Sequence, residues 1–334
     1  MVYKSLVLWV TTDCNLNCKY CYAHGGKIQN YMSFETAKKA IDSIGNFPLK
    51  IQFAGGEPLL GLDLIEKVCS YVEERKNTTL HIQTNGTLID ERFISLVKKY
   101  NIKLGLSMDG IPEINESQRG NTKKLMDGIH KLKERNIFIN INSVVTKDSI
   151  EHLTKLYDIL FIMGNVRGMA LDLLRNTGRA KENSNICLIP EEKQIKDIIY
   201  KLNNHSKDMY DKFGRKIIIR EIEEAKYRLQ NKSSIDAYCY ASIGHSYVVE
   251  PSGSIYPCGS LVGDEKYKIG DVNNKDEWKL VCLKRPKKDK CKLCEYRQYC
   301  AGVCPSRMIF SDNFTIDCAI KYNSFKIAEG ELNL

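Results

Sequence analysis

Over the first 180 positions, short apolar runs alternate with longer stretches whose apolar residues recur at helical spacing. "SLVLWV" (5–10) reads as a buried strand. "SFETAKKAIDSI" follows as a helix, with Ser33 as its cap. "KIQFA", the helix "LDLIEKVCSYVEER" and "TLHIQT" repeat the alternation. It runs on through "ERFISLVKKY", "IKLGLSM", "TKKLMDGIHKLKERN", "IFININSVV" and "SIEHLTKLYDIL", and "VRGMALDLL" closes it as a sixth strand. Strands alternating with helices predict an α/β unit with a parallel sheet and right-handed crossovers. The spacing fits either an open, doubly wound sheet or a partial barrel. In both, the strand C-termini share one face, where loops carry chemistry. "TTDCNLNCKYCYAHGG", "AGGEP", "QTNGT" and "SMDG" each follow a strand, so all four gather on that face.

The texture then changes twice. "PEEKQIKDIIYKLNN" and "EIEEAKYRLQ" are polar helices that read as a bridge. From Ala237 onward come short strands, Gly and Pro turns and cysteines, including a hairpin in "SYVVEPSGSIYPC" that turns at "PSG". The expected organisation is a barrel-like unit over 1–180, a helical bridge over 181–235 and a cysteine-rich domain over 236–334.

Composition narrows the class. Apolar residues at 43% and charged residues at 27% are globular values. The N-terminus shows neither a signal-peptide cleavage pattern nor a 20-residue apolar span, so a cytoplasmic protein without a membrane segment is expected. Net charge is +9, which favours acidic partners. The sharpest basic run, "KRPKKDK" (Lys284–Lys290), reads as a solvated linker. No aromatic-interleaved basic platform accompanies it, so no nucleic-acid partner is expected.

Thirteen cysteines at close fixed spacings, in a reducing compartment, point to metal rather than disulfides. Cys14, Cys18 and Cys21 form C-x3-C-x2-C on one loop. Such a trio can hold zinc if His24 completes a tetrahedron. It can also hold an iron–sulfur cube with one iron left open for an outside ligand.

At these residues the sequence resembles the radical S-adenosylmethionine (SAM) enzymes, with Tyr20 in the aromatic position of their C-x3-C-x-aromatic-C signature. The resemblance implies a partial (β/α)6 TIM-like barrel and a [4Fe–4S] cluster on Cys14, Cys18 and Cys21. Its open iron chelates SAM, and one electron releases a 5′-deoxyadenosyl radical that abstracts hydrogen. Gly55, Gly56 and Glu57 of "GGEP" match the family's motif for the methionyl amine: glycines allow close approach, and carbonyls with a carboxylate can receive an ammonium. Ser107 and Arg119 match the pair that holds the SAM carboxylate, a bidentate task suited to Arg. Their bland alternatives are a helix cap and a surface charge.

The C-terminal array resembles the SPASM extension of these enzymes. Cys239 is followed by thirteen residues, Gly253, four residues and Cys258; then come Cys291, Cys294, Cys300 and Cys304 as C-x2-C-x5-C-x3-C, and Cys318. The resemblance implies two auxiliary [4Fe–4S] clusters, three clusters in all. Auxiliary II would use Cys291, Cys294, Cys300 and Cys318; auxiliary I would use Cys239, Cys258 and Cys304. Fully ligated relatives carry another cysteine just before the position of Cys239, and "QNKSSIDAY" offers none. The fourth position of auxiliary I is thus open or filled by Cys282 or Cys187. Cys69, inside an amphipathic helix, reads as core.

The resemblance implies an oxidoreductase that modifies a peptide or small protein after translation, in an anaerobic host, fed by a flavodoxin- or ferredoxin-type electron donor. Sulfatase-maturing members carry an Asp base after the cysteine matching Cys258. Here Gly259 follows, with Asp264 as a substitute candidate. The stretch "YPCGSLVGDEKYKIGDV" looks closer to thioether-forming maturases of ribosomal peptides. Thioether formation at a cysteine is therefore the leading expectation. Sulfatase maturation and action on a small-molecule or cofactor precursor are the alternatives. Many peptide maturases begin with a winged-helix peptide-recognition domain; this chain begins on its first strand, so the expectation is that either a separate recognition protein presents the peptide or the basic surface and barrel mouth hold it. The residue acting as catalytic base is not identified by the sequence.

Overall fold

The computed structural model describes residues 3–231, 237–284, 288–311 and 314–333. The six strands of the hydrophobic pattern are β1 (Lys4–Thr11), β2 (Leu49–Gly55), β3 (Thr78–Thr84), β4 (Lys103–Ser107), β5 (Ile139–Val145) and β6 (Val166–Leu173). Neighbours in sequence pair in parallel throughout. Period-2 alternation fixes their faces. In β2, Leu49, Ile51 and Phe53 are fully buried against the outer helices, whereas Lys50 and Gln52 turn to the inner side.

The connections carry α1 (Phe34–Ser43), α2 (Leu62–Tyr71), α3 (Glu91–Tyr100), α4 (Pro112–Gln118), α5 (Thr122–Glu134) and α6 (Leu153–Met163). Ser33 caps α1, its hydroxyl accepting from the Thr36 N–H. Asp90 caps α3, accepting from the Phe93 N–H at 2.8 Å. Asp90→Ala strands that donor and is expected to cost ~1 kcal/mol in urea unfolding; an unchanged midpoint would show the cap to be idle. The pattern extends α2 to Arg75, but the helix stops at Tyr71, and the Arg75 guanidinium instead donates to the carbonyls of Gly45 and Phe47. Side chains such as Leu6, Ile65, Phe93, Leu132 and Leu160 fill the layer between sheet and helices, with Cys69 buried among them as expected.

The sheet continues beyond the six strands. β7 (Ile218–Ile219) pairs with β6; β8 (Ser246–Val249) pairs in parallel with β1; β9 (Ser254–Tyr256) and β10 (Gly270–Asp271) add antiparallel partners. The order is β10-β9-β8-β1-β2-β3-β4-β5-β6-β7. The "PSG" hairpin therefore forms, with Gly253 at φ +96°, and it is hydrogen-bonded into the sheet of the barrel. The bridge comprises α7 (Arg179–Glu182), α8 (Glu192–Phe213) and α9 (Arg220–Gln230), and the C-terminal region α10 (Pro305–Phe310) and α11 (Phe314–Leu332). α11 packs on α8 and α9. The texture reading marks no helix there, because its buried set mixes Asp317, Asn323 and Ser324 with Phe325 and Ile327 and leaves no clean apolar stripe. No helix among the described residues is long and apolar enough to cross a membrane.

Candidate active site

The C-terminal ends of the strands open onto a cavity of about 760 Å³. Cys14, Cys18, Cys21, Tyr20, Gly55, Gly56, Ser107 and Arg119 all line it, so the fold brings together the residues that lie far apart in sequence. Backbone contacts hold the cysteine loop. Lys19 N–H donates to the Gln118 carbonyl at 3.0 Å. The Arg179 guanidinium donates to the carbonyls of Cys18 and Gly25, both at 2.9 Å. The Leu16 N–H points at the Cys14 sulfur, 3.4 Å away. Burial pushes the Cys14 thiol up to about 11, so a cationic partner is needed to make it a thiolate at neutral pH.

The "GGEP" turn is pressed against this loop. Gly55 has φ +136°, and a Cβ there would lie 2.3 Å from the Thr11 carbonyl oxygen; at Gly56 it would lie 2.0 Å from that of Asp13. Gly56→Ala must displace the loop and is expected to weaken SAM binding by about tenfold to a hundredfold. Equilibrium binding checks this, with circular dichroism as the folding control; unchanged affinity would contradict it. Glu57 does not extend the cavity wall. Its carboxylate is fully buried and accepts from the Thr84 hydroxyl at 2.6 Å, the Asn85 N–H at 2.7 Å and the Leu59 N–H at 3.0 Å. Burial pushes this carboxyl up, opposed by those donors. Glu57 thus staples the end of β2 to the "QTNGT" turn, and the backbone of Gly55 and Gly56 faces the cavity.

Sequence reasoning did not single out Asp109. Its carboxylate is fully buried, accepts from the Val144 N–H at 2.8 Å and receives the Tyr20 hydroxyl. The Arg119 guanidinium donates to the Tyr20 oxygen at 2.5 Å and lies 3.5 Å from Asp109. Arg119 is therefore no surface charge: its side chain is 11% exposed. The available signal was position, since Asp109 lies two residues past Ser107 in "SMDG". Ser107 accepts from Gln83 at 2.9 Å, and Asn142 in turn donates to Gln83.

The C-terminal cysteines separate into two places. Cys291, Cys294, Cys300 and Cys318 line a second cavity of about 490 Å³ beside Tyr296 and Phe325. The Gly302 N–H points at the Cys300 sulfur, 3.3 Å away. Cys239 lines the first cavity, Cys258 packs near Ala241 and Leu283, and Cys304 is buried at the start of α10. Cys282 lies against the same segment: the adjacent Leu283 N–H donates to the Ala241 carbonyl at 3.0 Å, and the Cys282 sulfur is 3.3 Å from a Cβ built on Gly244. Cys187 is placed elsewhere. It packs against the cluster that contains Cys18 and Tyr20, near Lys19, whereas Cys282 lies beside Ala241 and Gly244. Residues 232–236, within the cysteine-free stretch before Cys239, and 285–287, within the basic run, lie outside the described residues. His24 turns its Nδ1 to Glu182 at 3.8 Å. Among the described residues no three Cys, His, Asp or Glu side chains gather around a single metal ion; the thiols border wider spaces.

A buried ion network ties the two regions. Arg307, 6% exposed, makes a bidentate pair with Asp317 and also reaches Asp172 at the end of β6, which Arg175 holds from the other side. Although burial opposes it, Arg175 and then Arg307 keep the Asp172 carboxyl well below the usual carboxylate range.

Three thiols on one loop, beside glycine backbone, a hydroxyl and a buried arginine, fit a three-ligand iron–sulfur centre with an amino-acid-like ligand; a parallel α/β barrel carrying that site defines a SAM-cleaving iron–sulfur enzyme. The family model described as the Radical SAM superfamily matches residues 10–160. A protein of Methanocaldococcus jannaschii, "Uncharacterized protein MJ0907", is 35% identical over 84% of this chain and 93% of its own. A "Cysteine-type anaerobic sulfatase-maturating enzyme" of Clostridium novyi is 28% identical over 90% of this chain and 88% of its own. The solved structure described as "Native anSMEcpe with bound AdoMet and Cp18Cys peptide" superposes with a TM-score of 0.80 at 24% identity, over 99% of this chain and 98% of that one. The chain belongs to the radical SAM superfamily. It is an enzyme, and membership brings a [4Fe–4S] cluster and SAM as cofactors.

Proposed function

We propose that the protein modifies a peptide or small protein by radical chemistry and closes a thioether bond at a cysteine. One observation carries this reading: a single cavity runs from the Cys14–Cys21 loop to Cys239 and Tyr240 of the C-terminal array. A substrate in it would touch both regions at once. Peptide-bound anSMEcpe, which shares the fold, supports a peptide as the occupant.

In this reading Cys14, Cys18 and Cys21 hold the SAM-binding cluster. Gly55 and Gly56 offer backbone to the methionyl amine, and Ser107 and Arg119 take its carboxylate. Tyr20 and Asp109 set the angle of the Arg119 guanidinium. Cys291, Cys294, Cys300 and Cys318 hold auxiliary II; Cys239, Cys258 and Cys304 hold auxiliary I, with Cys282 the neighbouring thiol. SAM bound there supplies the 5′-deoxyadenosyl radical. An open position on auxiliary I suits the thiolate of a peptide cysteine, which would fix the sulfur beside the carbon to be attacked.

The lining residues weigh against the carboxylate-base chemistry of sulfatase maturation. At Gly259, where a carboxylate base would have to stand, there is no side chain, and a Cβ would meet Trp9 Cζ3 at 3.1 Å, so the Trp9 ring would have to give way to admit one. Asp264 caps the Lys266 N–H at 3.1 Å and is exposed, outside the cavity. Asp172 and Glu224, which do line it, are each held by two cations. The Clostridium relative keeps sulfatase maturation as the second reading. The test incubates reduced, iron-reconstituted enzyme with SAM and a cysteine peptide encoded beside its gene. A product lighter by two hydrogens and lacking its free thiol is expected. Formylglycine on a sulfatase peptide would favour the second reading, and absence of 5′-deoxyadenosine would sink both.

A further inference from the structure

Six cations line the cavity: Lys50, Arg119, Arg175, Arg179, Arg220 and Lys321. Five have protein partners. Arg119 is tied to Asp109 and Tyr20, Arg175 to Asp172, and Arg179 to two loop carbonyls. Arg220 pairs with Glu221, and Lys321 with Glu224 at 3.0 Å. Among the described residues Lys50 makes no hydrogen bond or ion pair through its ammonium. Neither lining carboxylate is available to it. Asp172 is shared by Arg175 and Arg307, and Glu224 by Lys321 and Arg228.

Gln52 stands two residues further along β2, on the same inner face, and its amide is likewise without a partner among the described residues. Across the sheet His81 pairs in register with Gln52. Its imidazole is pushed down to about 4, by burial first and then by Lys50 and Lys103, so it is neutral at pH 7 and brings no negative charge. A partnerless ammonium in a cavity wall is unfavourable unless something anionic arrives. Lys50 lies five residues before Gly55, about 16 Å along the strand, and Gln52 about 10 Å.

We propose that Lys50 and Gln52 form an anion anchor that receives a carboxylate of the substrate, while the reacting residue lies at the cysteine loop. An extended peptide spans that distance with about four or five residues. The substrate class is therefore a cysteine peptide with an acidic group, a Glu or Asp side chain or the chain terminus, that far from the reacting residue. This names the substrate of the site read above: the cysteine peptide rests on that reading, and the anion anchor rests on Lys50 and Gln52 alone.

The test uses the reconstituted holoenzyme with SAM. Fluorescein-labelled, C-terminally amidated decapeptides carry one cysteine and, four or five residues away, either Glu or Gln; a third carries Gln and a free C-terminal carboxylate at the same offset. Anisotropy gives Kd at low and high salt. The Glu peptide is expected to bind at least about tenfold tighter than its Gln counterpart at low salt. Lys50→Gln should bring that ratio close to one, and Lys50→Arg should restore it. The third peptide tells a terminal carboxylate from a side chain as the source. A wild-type ratio near one, or a ratio that survives Lys50→Gln, overturns the anchor. If no peptide binds, the peptide reading fails by itself, and calorimetry with glutarate then decides the anchor. Binding that Lys50→Gln abolishes supports it; equal heats in both proteins overturn it.

Discussion

Cys18→Ala is expected to bring 5′-deoxyadenosine formation down to background and to lower the iron of the reconstituted protein by about four atoms per chain. Cys18 is buried in the loop that Arg179 and Gln118 hold from both sides, and with it removed only Cys14 and Cys21 remain on that wall. Two thiolates on one loop do not define a cube with a single open corner. Cys69→Ala is the control: that thiol is buried between α2 and the sheet, so its loss should cost stability but no iron. Iron analysis with a SAM-cleavage assay checks both; a Cys18→Ala protein that still cleaves SAM would remove the loop from the chemistry.

The second large effect is on stability. Arg307→Met is expected to lower the unfolding free energy by about 3–5 kcal/mol, because it leaves Asp317 buried without its partner. The pair is buried on both sides, with side chains 6% and 4% exposed. Arg307 follows Cys304 by three residues and Asp317 precedes Cys318, so the pair also clamps two candidate ligand segments against β6. The double variant Arg307→Met/Asp317→Leu should recover part of the loss, since no lone charge then stays buried. Urea midpoints and slopes measure this. A change within about 0.5 kcal/mol for the single variant would show the network to be dispensable.

The convergence of Cys14–Cys21, Gly55–Gly56, Ser107 and Arg119 was legible because strand ends are marked by the loss of apolar alternation, and parallel strands put those ends on one face. The four cysteines of the second cavity were legible through their spacing and family resemblance. Partners chosen by tertiary proximity were not. Nothing local in "SMDG" says that Asp109 will be met by a tyrosine 89 residues earlier in the chain. Nothing in "RAKE" says that Arg179 will hold the carbonyl of Cys18. Glu57 shows the opposite failure: its motif was read, but the direction of its carboxylate depends on Thr84 and Asn85. Cys282, in an irregular stretch, reads in sequence as the better fourth-ligand candidate than Cys187, and only the path of the chain after β6 puts Cys187 against the cluster that contains Cys18. The hairpin at Gly253 was read from its turn, whereas its union with β1 is a long-range pairing that turn chemistry does not encode.

The proposed function is tested most directly by following one hydrogen. A substrate peptide is made with both β-hydrogens of its cysteine replaced by deuterium and is turned over by the reduced enzyme with SAM. Thioether closure predicts 5′-deoxyadenosine free of deuterium, together with a product that retains both deuterons and has lost its thiol. Deuterium in the 5′-deoxyadenosine, with an aldehyde in place of the cysteine, would contradict it.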